Sequence, residues 1–409
     1  MEKPNPSLSP QLLLLLLLVI VTASSRCRAE NNVVGGRGKQ SSSSSSGVAF
    51  FIFGDSFLDA GNNNYINTTT LDQANFPPYG RTFFNFPTGR FSDGRLLPDF
   101  IAKYAKLPLI PPFLKPGNNI NDMAMGANFA SAGAGALVET FQGDVSVLVI
   151  DLQTQLGNMK KVGKGLRNKL GKEERDAKIS GGVYMFSIGS NDYMSPFLTN
   201  SSSSLLFHTS SSRFVAMVLA NLTAVVKDIY DMGGRKFVFM NVPTLGCLPA
   251  MRLLMKNPNG KCYEEQVSEL AKLHNARLST VVLPRLAREL KGFKYSLFDF
   301  STSLHRRMTH PSNYGLKEGE EACCGTGKWR GIDSCGGKRS VKKEFEVCNN
   351  PTEYLFWDSF HLTDTAYHQM AREIWNPTPP PSSTITKTSP LAIVGPYTLH
   401  QLFHAAIHH

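Results

Sequence analysis

The stretch FFIFGDSFLDAGNNN (residues 50–64) runs from an apolar pattern directly into Gly-Asp-Ser and then into a cluster of asparagines. The apolar run followed by Gly54 predicts a buried strand at 48–53 that ends in a sharp turn. Ser56 would then lie beyond the carboxyl end of this strand, near the start of a helix. Backbone N–H groups at such a position favour developing negative charge. The alternative is an Asp/Ser helix N-cap, which is common at strand-to-helix turns.

Short apolar runs alternate with helical patterns along the rest of the chain. Further strands are predicted at 126–130, 183–188, 236–242 and 295–300, and helices at 97–104, 145–162, 212–232 and 263–290. Strands that are apolar throughout indicate an α/β fold with a parallel sheet covered on both faces. In such sheets the functional residues gather beyond the carboxyl ends of the strands.

A serine nucleophile needs a base, and that base needs an acid to orient it. Asp358 and His361 occur in the stretch WDSFHLTD (residues 357–364) and are three residues apart. In a single turn both side chains can face the same way, so that the carboxylate accepts from one imidazole nitrogen. Alternatively, Asp358 is an N-cap for a helix that starts near Thr363.

Acyl transfer also needs hydrogen-bond donors for the oxyanion of the tetrahedral intermediate. The turn NFASAGAG (residues 128–135) follows a predicted strand and offers the backbone N–H of Gly133. The turn IGSNDY (residues 188–193) follows another and offers the amide of Asn191. Close strand–helix packing is the alternative for the first turn, and an Asx turn is the alternative for the second.

Taken together, these motifs resemble the plant GDSL esterase/lipases of the SGNH-hydrolase superfamily over roughly residues 48–403. The stretches that carry the resemblance are FGDSFLDAGNNN (53–64), FPTGRFSDGRLLPDF (86–100), GANFASAGAG (126–135), FSIGSNDY (186–193), NVPTLGCLP (241–249), ACCGTG (322–327) and WDSFHLTD (357–364). The resemblance implies a flavodoxin-like three-layer α/β/α sandwich around a central parallel sheet, with neither a metal nor an organic cofactor.

The resemblance also implies a role for each candidate residue. Ser56 would be the nucleophile and would lend its backbone N–H to the oxyanion hole. Gly133 and Asn191 would be the other two oxyanion donors. His361 would be the general base, and Asp358 the acid that orients it.

The first residues predict export. Lys3 precedes an apolar run at 12–21 that is short for a bilayer and is followed by small residues, a pattern typical of a secretory signal peptide. A permanent signal anchor is the alternative. The predicted organisation is a signal peptide (1–29), a Gly/Ser-rich linker (30–47), a hydrolase domain (48–403) with a Pro-rich insertion (377–391), and a tail (404–409).

In an oxidising compartment, the even number of cysteines beyond the signal favours disulfides, with fifteen possible connectivities. These cysteines are Cys247, Cys262, Cys323, Cys324, Cys335 and Cys348. A zinc site is the weaker alternative, because the sequence has no C-x-x-C pair. The sequons at Asn67, Asn200 and Asn221 are candidate N-glycosylation sites.

The formal net charge is +11 at pH 7, but the basic residues are scattered. This distribution, without a nucleic-acid module, argues against a nucleic-acid partner. It suits loose association with acidic cell-wall polymers. We expect a protein of the cell wall or apoplast that is monomeric. With the signal peptide removed, we expect no transmembrane segment in its mature form.

The function expected from these observations is that of a secreted serine esterase/lipase acting on a small-molecule, lipid or polymer ester. Two alternatives remain: a transacylase of the same fold, similar to the cutin synthases, and a non-catalytic binding or defence-associated homologue. Phe57, Phe83, Phe84, Phe86 and Phe91 are candidates for an acyl pocket, although aromatic clusters more often form core.

Overall fold

The computed structural model describes residues 48–68, 72–141, 149–199, 205–255, 262, 265–336, 344–377 and 394–405. The predicted signal peptide, the predicted linker and Asn200 lie outside the described residues. Most of the Pro-rich insertion (378–391) and of the tail (406–409) also lie outside them.

Short strands form the centre of the fold, and the first three are buried along their whole length. The strands are β1 (Phe50–Gly54), β2 (Val183–Ser187), β3 (Lys236–Met240), β4 (Lys294–Phe298), β5 (Glu318–Ala322), β6 (Cys324–Gly325), β7 (Glu346–Val347), β8 (Tyr354–Phe356) and β9 (Val394–Pro396). The main sheet has the order β1-β2-β3-β4-β9, in which β1 to β4 are parallel and β9 is antiparallel. The four strongest strand predictions are confirmed to within about three residues at each end.

The fifth predicted strand, at 126–130, extends the sheet beyond β1. Its backbone is bonded to β1 on both sides of Ile52: Ile52 N donates to Ala127 O at 3.0 Å, and Phe129 N donates to Ile52 O at 2.7 Å. The pairing is parallel but too short to register as a strand. In chain order, the segment at 126–130 comes second, after β1, and it lies beyond β1 at the edge of the sheet. If β2, β3 and β4 are counted as the third to fifth strands, the spatial order of the sheet is 2-1-3-4-5, as in flavodoxin-like folds.

Helices cover both faces of the sheet and complete the predicted three-layer α/β/α architecture. They are α1 (Leu97–Tyr104), α2 (Leu152–Leu170), α3 (Lys172–Gly181), α4 (Ser190–Leu198), α5 (Ser211–Asp231), α6 (Pro249–Met255), α7 (Gln266–Arg277), α8 (Leu283–Glu289), α9 (Phe300–Thr309), α10 (Asp364–Trp375) and α11 (Leu399–His404). Short 3-10 turns lie at Asn62–Tyr65, Asp122–Met125, Leu205–His208, Leu245–Cys247, Pro311–Tyr314, Lys328–Arg330 and Pro351–Glu353. One packed group contains α1, α10 and α11, and another contains α2, α5 and α7.

Two helix predictions differ from the structure. The helix predicted at 145–162 begins later, as α2, because Asp151 caps its first turn by accepting from the N–H groups of Gln153 and Thr154. The single helix predicted at 263–290 is interrupted by a π-helical turn at Leu278–Val282.

The interruption after α7 has a local cause. The hydroxyls of Ser279 and Thr280 donate to the Asn275 and Ala276 carbonyls at 2.8 and 2.7 Å, competing with the helical ladder. Pro284, just beyond the π turn, has no N–H to donate.

Three disulfides select one of the fifteen connectivities: Cys247–Cys262, Cys323–Cys348 and Cys324–Cys335. Cys323–Cys348 joins the residue between β5 and β6 to the residue after β7, and Cys324–Cys335 joins β6 to a loop residue. The strand β8 ends at Phe356, immediately before the stretch that carries His361. Among the described residues, no helix is both long and apolar enough to cross a membrane. Within the same ranges, no set of three His, Cys, Asp or Glu side chains could hold a metal ion.

Candidate active site

The end of β1 turns so sharply that only glycine fits there. Gly54 has φ 153°, and a Cβ at this position would lie 2.3 Å from the Ser187 carbonyl oxygen of β2. The side chain of Gln155 holds Gly54 from the opposite side, accepting from its N–H at 2.9 Å and donating to its carbonyl at 2.8 Å. Two elements therefore fix the backbone immediately before Ser56.

Beyond Gly54 the chain makes one tight turn and does not enter a helix, so that part of the prediction is wrong. The N–H groups of Leu58 and Asp59 both donate to the Asp55 carbonyl at 3.0 Å. The Asp55 carboxylate accepts from Phe57 N at 3.0 Å, as an N-cap residue would. Burial raises the pKa of the Asp55 carboxyl to about 7, and the nearby Asp192 carboxylate adds to the rise. Asp55 therefore shapes the turn, and Ser56 is left half-buried at its tip.

Asp358 and His361 are joined as predicted. The His361 Nδ1 atom lies 2.8 Å from Asp358 Oδ1 and 3.0 Å from Oδ2. Since a carboxylate can only accept, Nδ1 carries the proton and Nε2 is the free basic nitrogen. Asp358 Oδ1 also accepts from the backbone N–H of His361 at 2.8 Å. The alternative role of Asp358 as a helix cap is wrong, because the cap of α10 is Thr363, whose hydroxyl accepts from Ala366 N.

Tyr79 is a further partner of Asp358 that sequence reasoning missed. Its hydroxyl donates to Asp358 Oδ2 at 2.6 Å, and both residues are buried. The two residues are 279 positions apart. No local pattern around Tyr79 could reveal this contact.

Gly133 and Asn191 lie on neighbouring turns that are bonded to each other. Gly133 has φ 80°, a conformation that favours glycine. Asn191 lies in the first turn of α4, and its Nδ2 atom donates to the Ala134 carbonyl at 2.9 Å. An amide has two N–H donors, and this bond uses one of them.

The residue after Asn191 holds the same loop more firmly. The Asp192 carboxylate accepts from Ala136 N and Leu137 N, each at 2.9 Å, and from the Thr140 hydroxyl at 2.6 Å. Burial raises the pKa of Asp192 to about 6, although these donors oppose the rise. The start of α4 and the loop after Gly133 therefore form one unit.

The asparagine cluster that follows Ser56 is structural. Asn62 Nδ2 donates to the carbonyls of Asn128 and Ala130, at 2.9 and 2.8 Å. Asn63 Nδ2 donates to the Ala132 carbonyl at 3.0 Å, and its Oδ1 accepts from Ser131 Oγ at 2.6 Å. The segment at 128–132 has few hydrogen bonds to a neighbouring strand. The two asparagine amides bind its carbonyl groups instead and hold the segment beside the Ser56 turn.

Ser56, Gly133, Asn191 and His361 all line one cavity of about 820 Å³. Its lining residues are Asp55, Ser56, Phe57, Asp72, Phe91, Ala132, Gly133, Phe141, Ser190, Asn191, Met194, Leu198, Thr199, Leu248, Ala250, Leu253, Leu254, Gly331, Ile332, Asp333, Phe360 and His361. Such a volume, with mostly apolar walls and a few polar groups, is typical of a small-molecule site. Asp358 lies behind His361 and does not line the cavity.

The five candidate phenylalanines divide into two groups. Phe57 and Phe91 line the cavity and pack against the His361 ring, with centroids 5.7 and 4.6 Å away. Phe83, Phe84 and Phe86 form a separate cluster outside it, in which Phe83 is 44% and Phe86 61% exposed. Two of the five candidates therefore line the cavity, and the other three do not.

Two sequon asparagines are described. Asn67 is exposed. Asn221 lies inside α5, where its Nδ2 atom donates to the Met217 carbonyl at 3.1 Å.

Comparison with known proteins gives the chain its family. The model of the GDSL-like Lipase/Acylhydrolase family matches residues 50–374. GDSL esterase/lipase 5 of Arabidopsis thaliana is 58% identical over 355 residues, which cover 87% of each chain. GDSL lipase of Tanacetum cinerariifolium is 47% identical over 328 residues, which cover 80% of this chain and 83% of that protein.

A further relative carries a different name. Inactive GDSL esterase/lipase-like protein 25 of Arabidopsis thaliana is 37% identical over 331 residues, which cover 80% of this chain and 71% of that protein. The family match spans most of the chain. Of the three relatives described, the two with the higher identities are named as an esterase/lipase and a lipase. This chain therefore belongs to the GDSL-like lipase/acylhydrolase family of hydrolases.

Proposed function

We propose that this protein is a secreted serine esterase that hydrolyses carboxylic esters through an acyl-enzyme intermediate. One observation carries the proposal: Ser56, Gly133, Asn191 and His361 line a single cavity, and Asp358 is bonded to His361 from behind. A nucleophile, an oriented base and two oxyanion donors are the parts that acyl transfer needs.

In the first half-reaction His361 Nε2 takes the proton of Ser56 Oγ, and Oγ adds to the ester carbonyl carbon. The resulting oxyanion accepts from the N–H groups of Ser56 and Gly133 and from the free N–H of the Asn191 amide. When the intermediate collapses, the bond to the leaving alcohol breaks and His361 gives its proton to that oxygen. Asp358 stabilises the imidazolium throughout and keeps its own charge.

In the second half-reaction water replaces the alcohol. His361 removes a proton from the water, the hydroxide oxygen adds to the acyl carbon, and collapse releases the carboxylic acid. The proton returns to Ser56 Oγ. An alcohol that entered instead of water would give a new ester, which is the transacylase alternative.

Secretion is the second part of the proposal. The six cysteines in three disulfides support an oxidising compartment, because such bonds are rare in the cytosol. The apolar run at 12–21 supports the same conclusion.

The test is Ser56→Ala beside wild type on p-nitrophenyl acetate, butyrate and octanoate. We expect turnover to fall to background while the melting temperature stays unchanged, since Ser56 is half-buried. Ser301→Ala is the matched control: Ser301 is also half-buried, its hydroxyl lies 3.1 Å from that of Thr244, and it does not line the cavity. Near-wild-type turnover by a folded Ser56→Ala would disprove the assignment.

Two further measurements separate the alternatives. An active-site fluorophosphonate should label wild type but not Ser56→Ala, whereas a non-catalytic homologue would not be labelled. Product analysis with glycerol present distinguishes the hydrolase from the transacylase, which would form the glycerol ester in preference to the acid.

A further inference from the structure

One face of α4 continues directly from the oxyanion site. Asn191, Met194 and Leu198 are spaced three and four residues apart, so they lie on the same side of the helix. All three line the cavity. The residues between them point elsewhere: Asp192 is bonded to the loop after Gly135, and Tyr193 to His274.

The face also runs from the interior to the surface. Asn191 and Met194 are 7% and 5% exposed, whereas Leu198 is 38% exposed at the far end of the helix. A second helix, α6, lines the same cavity with Leu253 and Leu254, of which Leu254 is 42% exposed. Leu198 and Leu254 are still exposed to solvent, so a ligand that covers them gains binding free energy from the burial of their apolar surface.

The chemistry of the proposed reaction decides which part of an ester lies here. The leaving oxygen must be near His361 to receive its proton, and the oxyanion must face Gly133 and Asn191. The alcohol is therefore drawn toward the stretch that carries His361. The start of α6 lies against this stretch, where Ala250 N donates to the Ser359 carbonyl at 2.9 Å. The face of α4, which begins at Asn191, offers the acyl chain a continuous apolar wall.

The length of the face sets the length of the acyl chain. Seven residues of helix span about 10 Å, at about 1.5 Å per residue. An extended chain advances about 1.2 Å per bond, since three backbone bonds span about 3.6 Å. About eight carbons therefore reach from the oxyanion site to Leu198, beyond which further carbons enter solvent.

We infer that this site selects esters of medium-chain fatty acids of about eight carbons, with Met194 and Leu198 as specificity determinants. The inference rests on the proposed function, because it needs Ser56 chemistry in the cavity. Each methylene buried along the face raises kcat/KM up to about fourfold. The increase in kcat/KM with chain length therefore stops near the octanoyl ester.

The experiment measures kcat/KM on p-nitrophenyl acetate, butyrate, hexanoate, octanoate and laurate, below their aggregation concentrations. Leu198→Asp places a charge on the groove at a partly exposed position that tolerates it. Leu109→Asp is the matched control, because Leu109 is 42% exposed and does not line this cavity. Met194→Trp fills the groove nearer to Asn191 and should cut the preferred length to about four carbons.

We expect wild type to favour octanoate over acetate by at least tenfold and to gain little on laurate. Leu198→Asp should lower the octanoate-to-acetate ratio about tenfold, and Leu109→Asp should leave it at the wild-type value. An unchanged ratio in Leu198→Asp, or acetate as the best wild-type substrate, would overturn the inference.

A second series, of acetate esters with lengthening alcohols, tests the orientation. Leu198→Asp should not change the length dependence of that series. If it changed the alcohol series and left the acyl series intact, the groove would hold the alcohol and the inference would be wrong. Absence of any Ser56-dependent release is a different result, since it refutes the proposed function itself.

Discussion

Replacing Asn191 by alanine isolates the oxyanion donor of the proposed mechanism. The Asn191 amide donates to the Ala134 carbonyl at 2.9 Å, which leaves its second N–H for the substrate oxygen. Loss of one oxyanion donor costs about 100- to 1,000-fold in kcat, or roughly 2.7–4 kcal/mol of transition-state stabilisation. Loss of the bond to Ala134 costs about 1 kcal/mol of folding stability.

These two losses appear in different measurements. Because the donor acts on charge that forms only in the transition state, kcat should fall while KM changes little. The assay is steady-state turnover of p-nitrophenyl butyrate, with urea unfolding of the same preparation. Loss of the bond to Ala134 lowers the unfolding free energy but cannot by itself produce a hundredfold loss in kcat.

Asn221→Ala is the matched control for this variant. Asn221 Nδ2 also donates to a backbone carbonyl, that of Met217 at 3.1 Å, but Asn221 lies in α5 and outside the cavity. The control should lose a similar fraction of stability and keep wild-type kcat. A folded Asn191→Ala with kcat within about threefold of wild type would refute the role of Asn191 as an oxyanion donor.

Three further variants test the scaffold. Tyr79→Phe removes a buried bond to the Asp358 carboxylate, so we expect a loss of about 2 kcal/mol in urea unfolding and about tenfold lower kcat; unchanged values in both would exclude the contact. Burial raises the pKa of Asp55 from 3.8 to about 7. The stability that its protonated form contributes is therefore full below about pH 4 and is lost as the pH rises through about 7. The loss is roughly 4 kcal/mol at most. Asp55→Asn should therefore show a smaller fall in unfolding free energy than wild type between pH 5 and pH 8, and equal falls would contradict the assignment. Gly54→Ala forces a Cβ to 2.3 Å from the Ser187 carbonyl oxygen and should cost at least about 3 kcal/mol, whereas a loss below about 0.5 kcal/mol would show that the turn relaxes.

The sequence could group the candidate site residues because they follow strands. Each of Ser56, Gly133 and Asn191 lies a few positions after an apolar run, and parallel strands end at one edge of the sheet. The pairing of Asp358 with His361 could also be predicted, since the two are only three residues apart. What depended on local spacing could be read from the chain.

The contacts that hold these residues in place could not be predicted. Tyr79 reaches Asp358 across 279 positions, and Gln155 reaches Gly54 across 101. Both are side-chain bonds between elements whose relative placement is known only after folding. The helix expected after Ser56 does not form for a different, local reason. Asp55 closes a tight turn with the same residue types that a helix N-cap uses.

This overlap explains why the structural and catalytic interpretations of the motifs were hard to separate. Loops at the carboxyl ends of strands have backbone groups without ladder partners, and burying such groups unsatisfied is costly. Here carboxylates and amides next to the candidate catalytic residues satisfy them, with Asp192 beside Asn191 and Asn62 shortly after Ser56. Residues of both kinds therefore belong to the same short motifs, and a place in the cavity lining separates Ser56 and Asn191 from Asp192 and Asn62. Ser56 and Asn191 line the cavity. Asp192 and Asn62 instead form hydrogen bonds with the backbone of the loop that follows residue 127.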